Sequence, residues 1–406
     1  MTDGPVIIVG AGHAGFHLAA SLRQFGFKER VCLINDESHP PYQRPPLSKA
    51  YLNGSIGSDG LLFRPENFYR EENIELFQGR AVAIDRQHRK LLLASGASLD
   101  YHHLVLATGA RNRLLDLPNA DLPDVRYLRS LDESEALRGI LPSKRRVVVI
   151  GAGFIGLEFA ATARVKGLEV DVIELAPRVM VRAVTAEVSD YFQARHREAG
   201  IRIHLGVHAT SIEADGGKVT GVSLSDGRHL VADLVVVGVG VLPNIELAAE
   251  AGLSVASGVI VDEFLSTADP GISAIGDCAL FASSRFASSL RLESVQNAID
   301  HARCVAARLV GERKPYDGQP WFWSDQGNIK LQIAGLITGY DQVVLRGDPA
   351  GKAFSVLCYK AGKLVGLESI NRASDHIFGR RLLGMDRSLA PERAADESFD
   401  LKRALD

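Results

Sequence analysis

Cysteine is scarce in this chain and has no local way to pair. Four cysteines in 406 residues stand at 32, 278, 304 and 358, with no CxxC or CxxxxC arrangement. That spacing excludes a sequence-local redox disulfide and the usual structural zinc motif, and it predicts buried free thiols in a reducing compartment. Long apolar runs are missing as well. A membrane span needs roughly 18 apolar residues, and the richest stretch, Leu234 to Leu242, has only the length of a buried strand. Neither sign of charge is in excess: the formal net charge is −3, which argues against a nucleic-acid or membrane-surface binder. The twelve histidines form no HExxH or other ligand spacing, so no metal is expected, and His102-His103 reads as a solvated strand edge. Met1-Thr2-Asp3-Gly4 has no basic n-region, which predicts no cleaved leader and a cytoplasmic protein. What remains is ordinary globular material, 46% apolar and 23% charged. At about 150 residues per domain, the length allows two or three domains.

The chemistry begins at the N-terminus with Val6 to Gly15, VIIVGAGHAG. An apolar, β-branched run followed by glycines 10, 12 and 15 reads as a buried strand, a tight turn and a helix, the arrangement that presents backbone N–H groups to a pyrophosphate. Gly10 permits the turn, Gly12 lets a phosphate approach the backbone, and Gly15 lets the helix lie close to the strand. The next apolar run, Val31 to Ile34, ends in Asn35-Asp36-Glu37. Asp36 thus stands about 20 residues beyond the last glycine, where a ribose hydroxyl is bound.

The pattern recurs at Val147 to Gly156, VVVIGAGFIG, followed by a helix over 157–166 and a strand Val170 to Ile173 that ends in Glu174. One such motif is weak; two, each between strand and helix and each with its acid, predict two dinucleotide sites. Glu174 favours a ribose with a free 2′-hydroxyl, and no arginine follows within three positions, so NADH rather than NADPH is expected there despite Arg178. Between the motifs lie a proline-stiffened loop, His39 to Lys49, and short strands at Arg80 to Ile84, Lys90 to Ala94 and Leu104 to Ala110. Leu131 to Leu141 reads as a helix. After the second motif, strands are predicted at Thr210 to Ile212, Val219 to Leu224 and, as one piece, Leu230 to Val237. The bend at Gly238 to Asn244 resembles the one after Leu104, so the second unit is read as inserted into the first. Ile272 to Asp277 would then complete the interrupted domain. Asp277 is placed either to bind a polyol or to cap the next helix. A helix is expected over 292–309, with a positive dipole end near Val295. Beyond Pro315 the character changes: both tryptophans fall in Trp321-Phe322-Trp323, and strands and a helix over 374–383 follow. The charged tail after Met385 is expected to lie loosely over the surface.

GAGHAG at 10–15, PYQRPPLSK at 41–49, ATGA at 107–110, GAGFIGLE at 151–158, AIGDCA at 274–279, ESVQNA at 293–298 and PWFWSDQ at 320–326 together resemble the FAD-dependent, NADH-dependent ferredoxin reductases of bacterial oxygenase and cytochrome P450 systems, the putidaredoxin reductase type. The last motif is the most specific to that group. The resemblance implies an α/β fold of two Rossmann-like, glutathione-reductase-like domains, one inserted in the other, plus a C-terminal α+β domain. The bounds would be 1–110 and 238–312 for FAD, 111–237 for NADH and 313–406 for the last domain. It implies that Gly10, Gly12, Ala14, Gly15, Asp36, Lys49, Val82, Arg129, Asp277 and Val295 bind FAD, that Gly151, Gly153, Gly156 and Glu174 bind NADH, and that Lys49 and Glu158 flank the reacting rings. Gln43 departs from the aspartate usual at its position.

The implied reaction passes electrons from NADH through FAD, singly, to a [2Fe-2S] ferredoxin that serves a P450 or other oxygenase. The enzyme would be a monomer or weak dimer, and its partner would dock over Arg285, Arg291 and Arg303. Trp323 is either a packed core aromatic or a neighbour of the flavin edge. The same fold also serves reductases of rubredoxin or of a small radical, and flavoproteins that sense NADH.

Overall fold

In a computed structural model the described residues run from Gly4 to Leu405. Met1-Thr2-Asp3, read above as free of a leader, and Asp406 at the tail's end lie outside them. The chain forms two compact units: one takes residues up to Arg44, Gly57–Arg111 and Val241–Gly318, the other Pro45–Ile56, Asn112–Gly240 and Gln319 onward.

The first unit is built on a five-stranded parallel sheet in the order Ile272–Ala274, His103–Leu106, Val6–Val9, Val31–Asn35, Ile74–Gln78. Strands buried on both faces have no polar side to alternate with, which is why they read as continuous apolar runs. The late strand Ile272–Ala274 pairs with Leu104–Leu106, so a segment far along the chain closes a sheet begun at residue 6. Helices His13–Gln24 and Val295–Leu309 pack on each other over this sheet. His103 is not a solvated edge residue. It opens a central strand, is 4% exposed, and its Nε2 lies 3.0 Å from Ser273 Oγ.

The second unit repeats the plan with a parallel sheet in the order Arg202–Leu205, Glu169–Glu174, Arg146–Ile150, Leu234–Val237, Val125–Tyr127. It also holds an antiparallel sheet of Trp321–Gln326, Ile329–Gly335, Lys363–Ile370, Phe354–Lys360 and Gln342–Arg346, covered by helix Ala373–Gly384. Within this unit the buried Glu368 accepts hydrogen bonds from the Thr185 N–H and hydroxyl, at the N-terminus of helix Ala186–Glu198. Burial pushes the Glu368 carboxyl up to about 7.

Three expectations fail for physical reasons. The single strand over 230–237 is two, His229–Val231 and Leu234–Val237, in different sheets. Asp233 interrupts it because its carboxylate takes the N–H groups of Arg145 and Arg146. The helix expected from 292 starts at Val295, where the Ser294 hydroxyl accepts the Asn297 N–H as an N-cap. The tail is not loose: Leu389, Ala394 and Leu401 are buried, a short helix spans Pro391–Ala395, and the buried Arg346 donates to the carbonyls of Ala394, Asp396, Glu397 and Phe399. Its anchors are single residues at irregular spacing, which no periodicity reveals.

Candidate functional site

Each glycine turn works through three different clearances. In the first unit, Gly10 has φ +107°, and a Cβ there would stand 2.3 Å from Ala107 O; a Cβ on Gly15 would stand 1.8 Å from Gly10 O. The second unit matches: φ +104° and 2.5 Å from Gly238 O at Gly151, and 2.1 Å from Gly151 O at Gly156. The middle glycines are free of such contact. A Cβ on Gly153 meets nothing within 4 Å, and one on Gly12 meets only Arg44 Nε at 4.0 Å. The outer glycines therefore serve the protein's own packing, while the middle ones keep space open in front of the backbone.

What faces that space is a set of unclaimed donors. The helices His13–Gln24 and Phe154–Val165 begin at Gly12 and Gly153 with no capping side chain and no acid in the first turn. Three other long helices are capped by hydroxyls, Ser130, Thr185 and Ser294 each accepting a first-turn N–H, while Ala373–Gly384, which has no side-chain cap, carries Asp375 in its first turn. Four N–H groups at a helix start need partners, and the two glycine-led starts leave them to an anion. An open cradle with free amides fits the diphosphate of a dinucleotide in both units.

Around the first turn the structure gathers several expected residues. Gly276, next to Asp277, approaches Ala14 so closely that its Cβ would lie 3.0 Å from the Ala14 Cβ. The helix that starts at Val295 brings Ala298 to the same spot, 3.8 Å from that position. The turn, Ala14, Asp277 and Val295 are thus neighbours. Asp36 is exposed just after the strand Val31–Asn35, and Val82 is 43% exposed on a separate three-stranded sheet. Arg44 lies in the proline-stiffened loop His39 to Lys49. Burial works against its charge, but Tyr42 and Glu37 overcome this and hold its pKa above the usual value. It donates to Glu37 and to Tyr42 Oη at 3.1 Å while standing over Gly12. His13 beside it is pulled down to about 3 by burial, His17 and Arg44, and stays neutral.

In the second unit Glu174 folds back on its turn. Its carboxylate accepts the Ala152 and Ala176 N–H groups, each at 2.8 Å. Arg178 is occupied, donating to the carbonyls of Val181, Val184 and Thr185. In the second turn of the helix that follows Gly153, Glu158 is 2% exposed and lies 2.7 Å from Lys49 Nζ. Lys49 also donates to Pro45 O, and Ser48 Oγ donates to Glu158 at 2.6 Å. Arg129 enters through its backbone: its N–H is held by Glu133, the acid of the capping box of helix Leu131–Ile140. Along Trp321–Gln326 alternation places Trp321 and Trp323 on one face and Phe322, Ser324 and Gln326 on the other. The second face meets the helix of the turn, with Phe154 and Phe322 rings 4.6 Å apart and Ser324 Oγ 2.7 Å from Glu158. Trp323 packs instead against Trp321, with centroids 5.7 Å apart.

Of the three arginines expected to meet a partner, Arg285 is paired with Asp317 and Arg291 with Glu293, which leaves Arg303 as the exposed cation without an acid in salt-bridge range among the described residues. The cysteines are all free, three buried and Cys304 half-buried. Burial pushes the thiols of Cys32 and Cys304 up to about 11, so neither offers a thiolate at neutral pH.

Residues 4–302 match the family model described as pyridine nucleotide-disulphide oxidoreductase, and 321–405 match that described as reductase C-terminal. The chain is 48% identical over 401 residues to rhodocoxin reductase of Rhodococcus erythropolis, covering 98% of this chain and 94% of that protein. It resembles the crystal structure of the ferredoxin reductase for the CYP199A2 system from Rhodopseudomonas palustris, with TM-score 0.98, 66% identity and complete coverage of both chains. It also matches the covalent putidaredoxin reductase–putidaredoxin complex, with TM-score 0.96, 38% identity and coverage of 100% of this chain and 99% of that one.

Proposed function

Because the chain belongs to the pyridine nucleotide-disulphide oxidoreductase family, we propose a ferredoxin reductase that takes electrons from NADH and passes them through FAD to a [2Fe-2S] ferredoxin of a cytochrome P450 or other oxygenase. A flavin and a nicotinamide nucleotide are the cofactors of this family. The first turn is read as the FAD cradle and the second as the NADH cradle. Bound flavin supplies the switch from a hydride pair to single electrons.

The chain's own residues bind, orient and hold charge. The uncapped amides after Gly12 and Gly153 take the two diphosphates. Arg44, over Gly12, adds a cation to the first. Asp36 and Glu174 take ribose hydroxyls, Val82 lies by the adenine, and Asp277 binds the polyol chain of FAD, with Arg129 near the cofactor. The start of helix Val295–Leu309 supports negative charge on the flavin pyrimidine edge. Lys49, fixed by Glu158 and Pro45, keeps a positive charge beside the reacting rings. Glu174 and the occupied Arg178 support NADH over NADPH, because a 2′-phosphate would meet a carboxylate and no free guanidinium from that arginine.

One observation carries this reading: two glycine-led helix starts are left uncapped in a chain whose four cysteines are scattered and all free. Two nucleotides can be held, and no dithiol exists to receive their electrons, so an external acceptor is required. Anaerobic stopped-flow mixing tests it. NADH should bleach the flavin rapidly, NADPH slowly, and an oxidised [2Fe-2S] ferredoxin should restore the colour within the turnover time. Slow reoxidation by ferredoxin but fast reoxidation by rubredoxin would redirect the acceptor. A persistently reduced flavin indifferent to both would turn the reading to a sensor. Arg303→Glu should weaken ferredoxin reduction about threefold at low salt, and less at high salt.

A further inference from the structure

The motif at 320–326 does more than close the C-terminal sheet. Its buried face carries a chain of hydrogen bonds that ends on Glu158, and every member lies in the second unit. Gln326 Nε2 donates to Ser324 Oγ at 3.3 Å and points to Met180 Sδ at 3.5 Å. Its Oε1 is thereby left to accept, and His196 Nε2 lies 2.7 Å from it. Burial lowers the His196 pKa, more than the Gln326 bond raises it, so the ring is neutral and donates through Nε2. Ser324, having accepted from Gln326, donates its own hydroxyl proton to Glu158 Oε1 at 2.7 Å. The direction is the same at each link: His196 to Gln326, Gln326 to Ser324, Ser324 to Glu158.

Glu158 is the terminus and only accepts. Oε2 takes Ser48 and Lys49, and Oε1 takes Ser324. Ser48, His196, Ser324 and Gln326 are all buried, so water is no ready substitute for a lost link. Polarised chains of this kind strengthen their last bond and fix its geometry.

We infer that Ser324, backed by Gln326 and His196, is a positioning residue that aims the Glu158 carboxylate and through it the Lys49 ammonium. The C-terminal sheet thereby sets the geometry of the hydride-transfer site. The inference rests on the reading of Lys49 and Glu158 as the pair beside the reacting rings. It accounts for the polar end of the motif, while the aromatic residues pack.

The test is a double-mutant cycle on the flavin-loaded protein. Ser324→Ala should slow flavin reduction by NADH about 3- to 10-fold, less than the full worth of a charge-assisted hydrogen bond because Ser324 acts through Glu158. It should leave flavin content unchanged and the equilibrium dissociation constant for NAD⁺ within about twofold. In a Glu158→Gln background the same substitution should change the rate less than about 1.5-fold, because the residue acts through that carboxylate. Ser324→Thr, which keeps the hydroxyl, should restore most of the rate. Gln326→Met removes the next link without touching Glu158 and should give a smaller slowing of the same kind, so the idea stays testable if Ser324→Ala folds poorly. An equal slowing by Ser324→Ala in both backgrounds overturns the inference, as does a loss of NAD⁺ affinity in place of rate. If NADH fails to reduce the unmodified protein, the proposed function falls. Rapid wild-type reduction with an unaffected Ser324→Ala removes only this inference.

Discussion

The two glycine turns share a register and differ in what stands at its end. Val9 pairs with Ile34 in the first unit as Ile150 pairs with Ile173 in the second, and Gly10 and Gly151 each donate to the carbonyl one strand over. The next residue is Asn35 in one case and Glu174 in the other. Glu174 turns back to cap its own turn, whereas in the first unit the acid comes one residue later, at the exposed Asp36, and Glu37 beyond it is held by Arg44 and Tyr42. The backbone geometry of a dinucleotide turn is therefore shared, and under the proposed function the ligand preference resides in residues beyond the glycines: Arg44 and Asp277 in one unit, Glu174 and Lys49–Glu158 in the other.

Substitution can break that likeness at graded depth. The largest effect is expected at the packing glycines, where the two turns should behave alike. Gly15→Val and Gly156→Val place a side chain within 1.8 and 2.1 Å of backbone oxygens, and each should cost more than about 3 kcal/mol. Yield of folded protein and thermal melting would show it. At the middle glycines the turns should part company. Gly12→Val should leave the fold intact while lowering bound flavin per protein to under about a tenth. Gly153→Val should keep the flavin and raise KM for NADH at least about tenfold. Flavin loss in Gly153→Val, with a raised KM for NADH in Gly12→Val, would reverse the assignment of tenants.

Glu174→Gln is a finer probe. It should raise KM for NADH about 3- to 10-fold and improve NADPH use less than about twofold, because Arg178 stays engaged with three carbonyls. Steady-state kinetics with both nucleotides would check it. The smallest effect lies away from the turns, at Glu368. Its folded pKa is raised to about 7, so its contribution is full below the unfolded value near 4.5 and is lost as pH rises through 7. Glu368→Gln should therefore match the native protein near pH 4.5 and exceed it by on the order of 1–3 kcal/mol above pH 7.5, as followed by denaturant unfolding across pH. A gap that narrows with rising pH would show the carboxylate to be stabilised by Thr185 instead.

Much of this was legible in the sequence because parallel strands and glycine turns are written in contiguous residues. Val6–Val9 and Arg146–Ile150 announce themselves as unbroken apolar runs, and the glycine spacing gives the turns their geometry. The return of the chain at Ile272 could be read from one short strand and the glycine after it. Other features were hidden because their partners are remote. Nothing in a local window tells that Ser324 reaches Glu158, or that Arg346 ties down the carbonyls of Ala394 to Phe399. His103 was misjudged for the same reason: its burial is set by Ile272–Ala274, a strand placed beside it from far along the chain.

The isolation of the thiols has an outcome for how such an enzyme is poisoned. Trivalent arsenicals inactivate reductases that carry a vicinal dithiol by bridging the two sulfurs, and peroxides do so by oxidising an exposed thiolate. With Cys32, Cys278 and Cys358 buried and unpaired, and Cys304 protonated at physiological pH, neither reagent finds its target. An electron donor to an oxygen-consuming system works where partly reduced oxygen escapes, and this one keeps its redox traffic off its own sulfur.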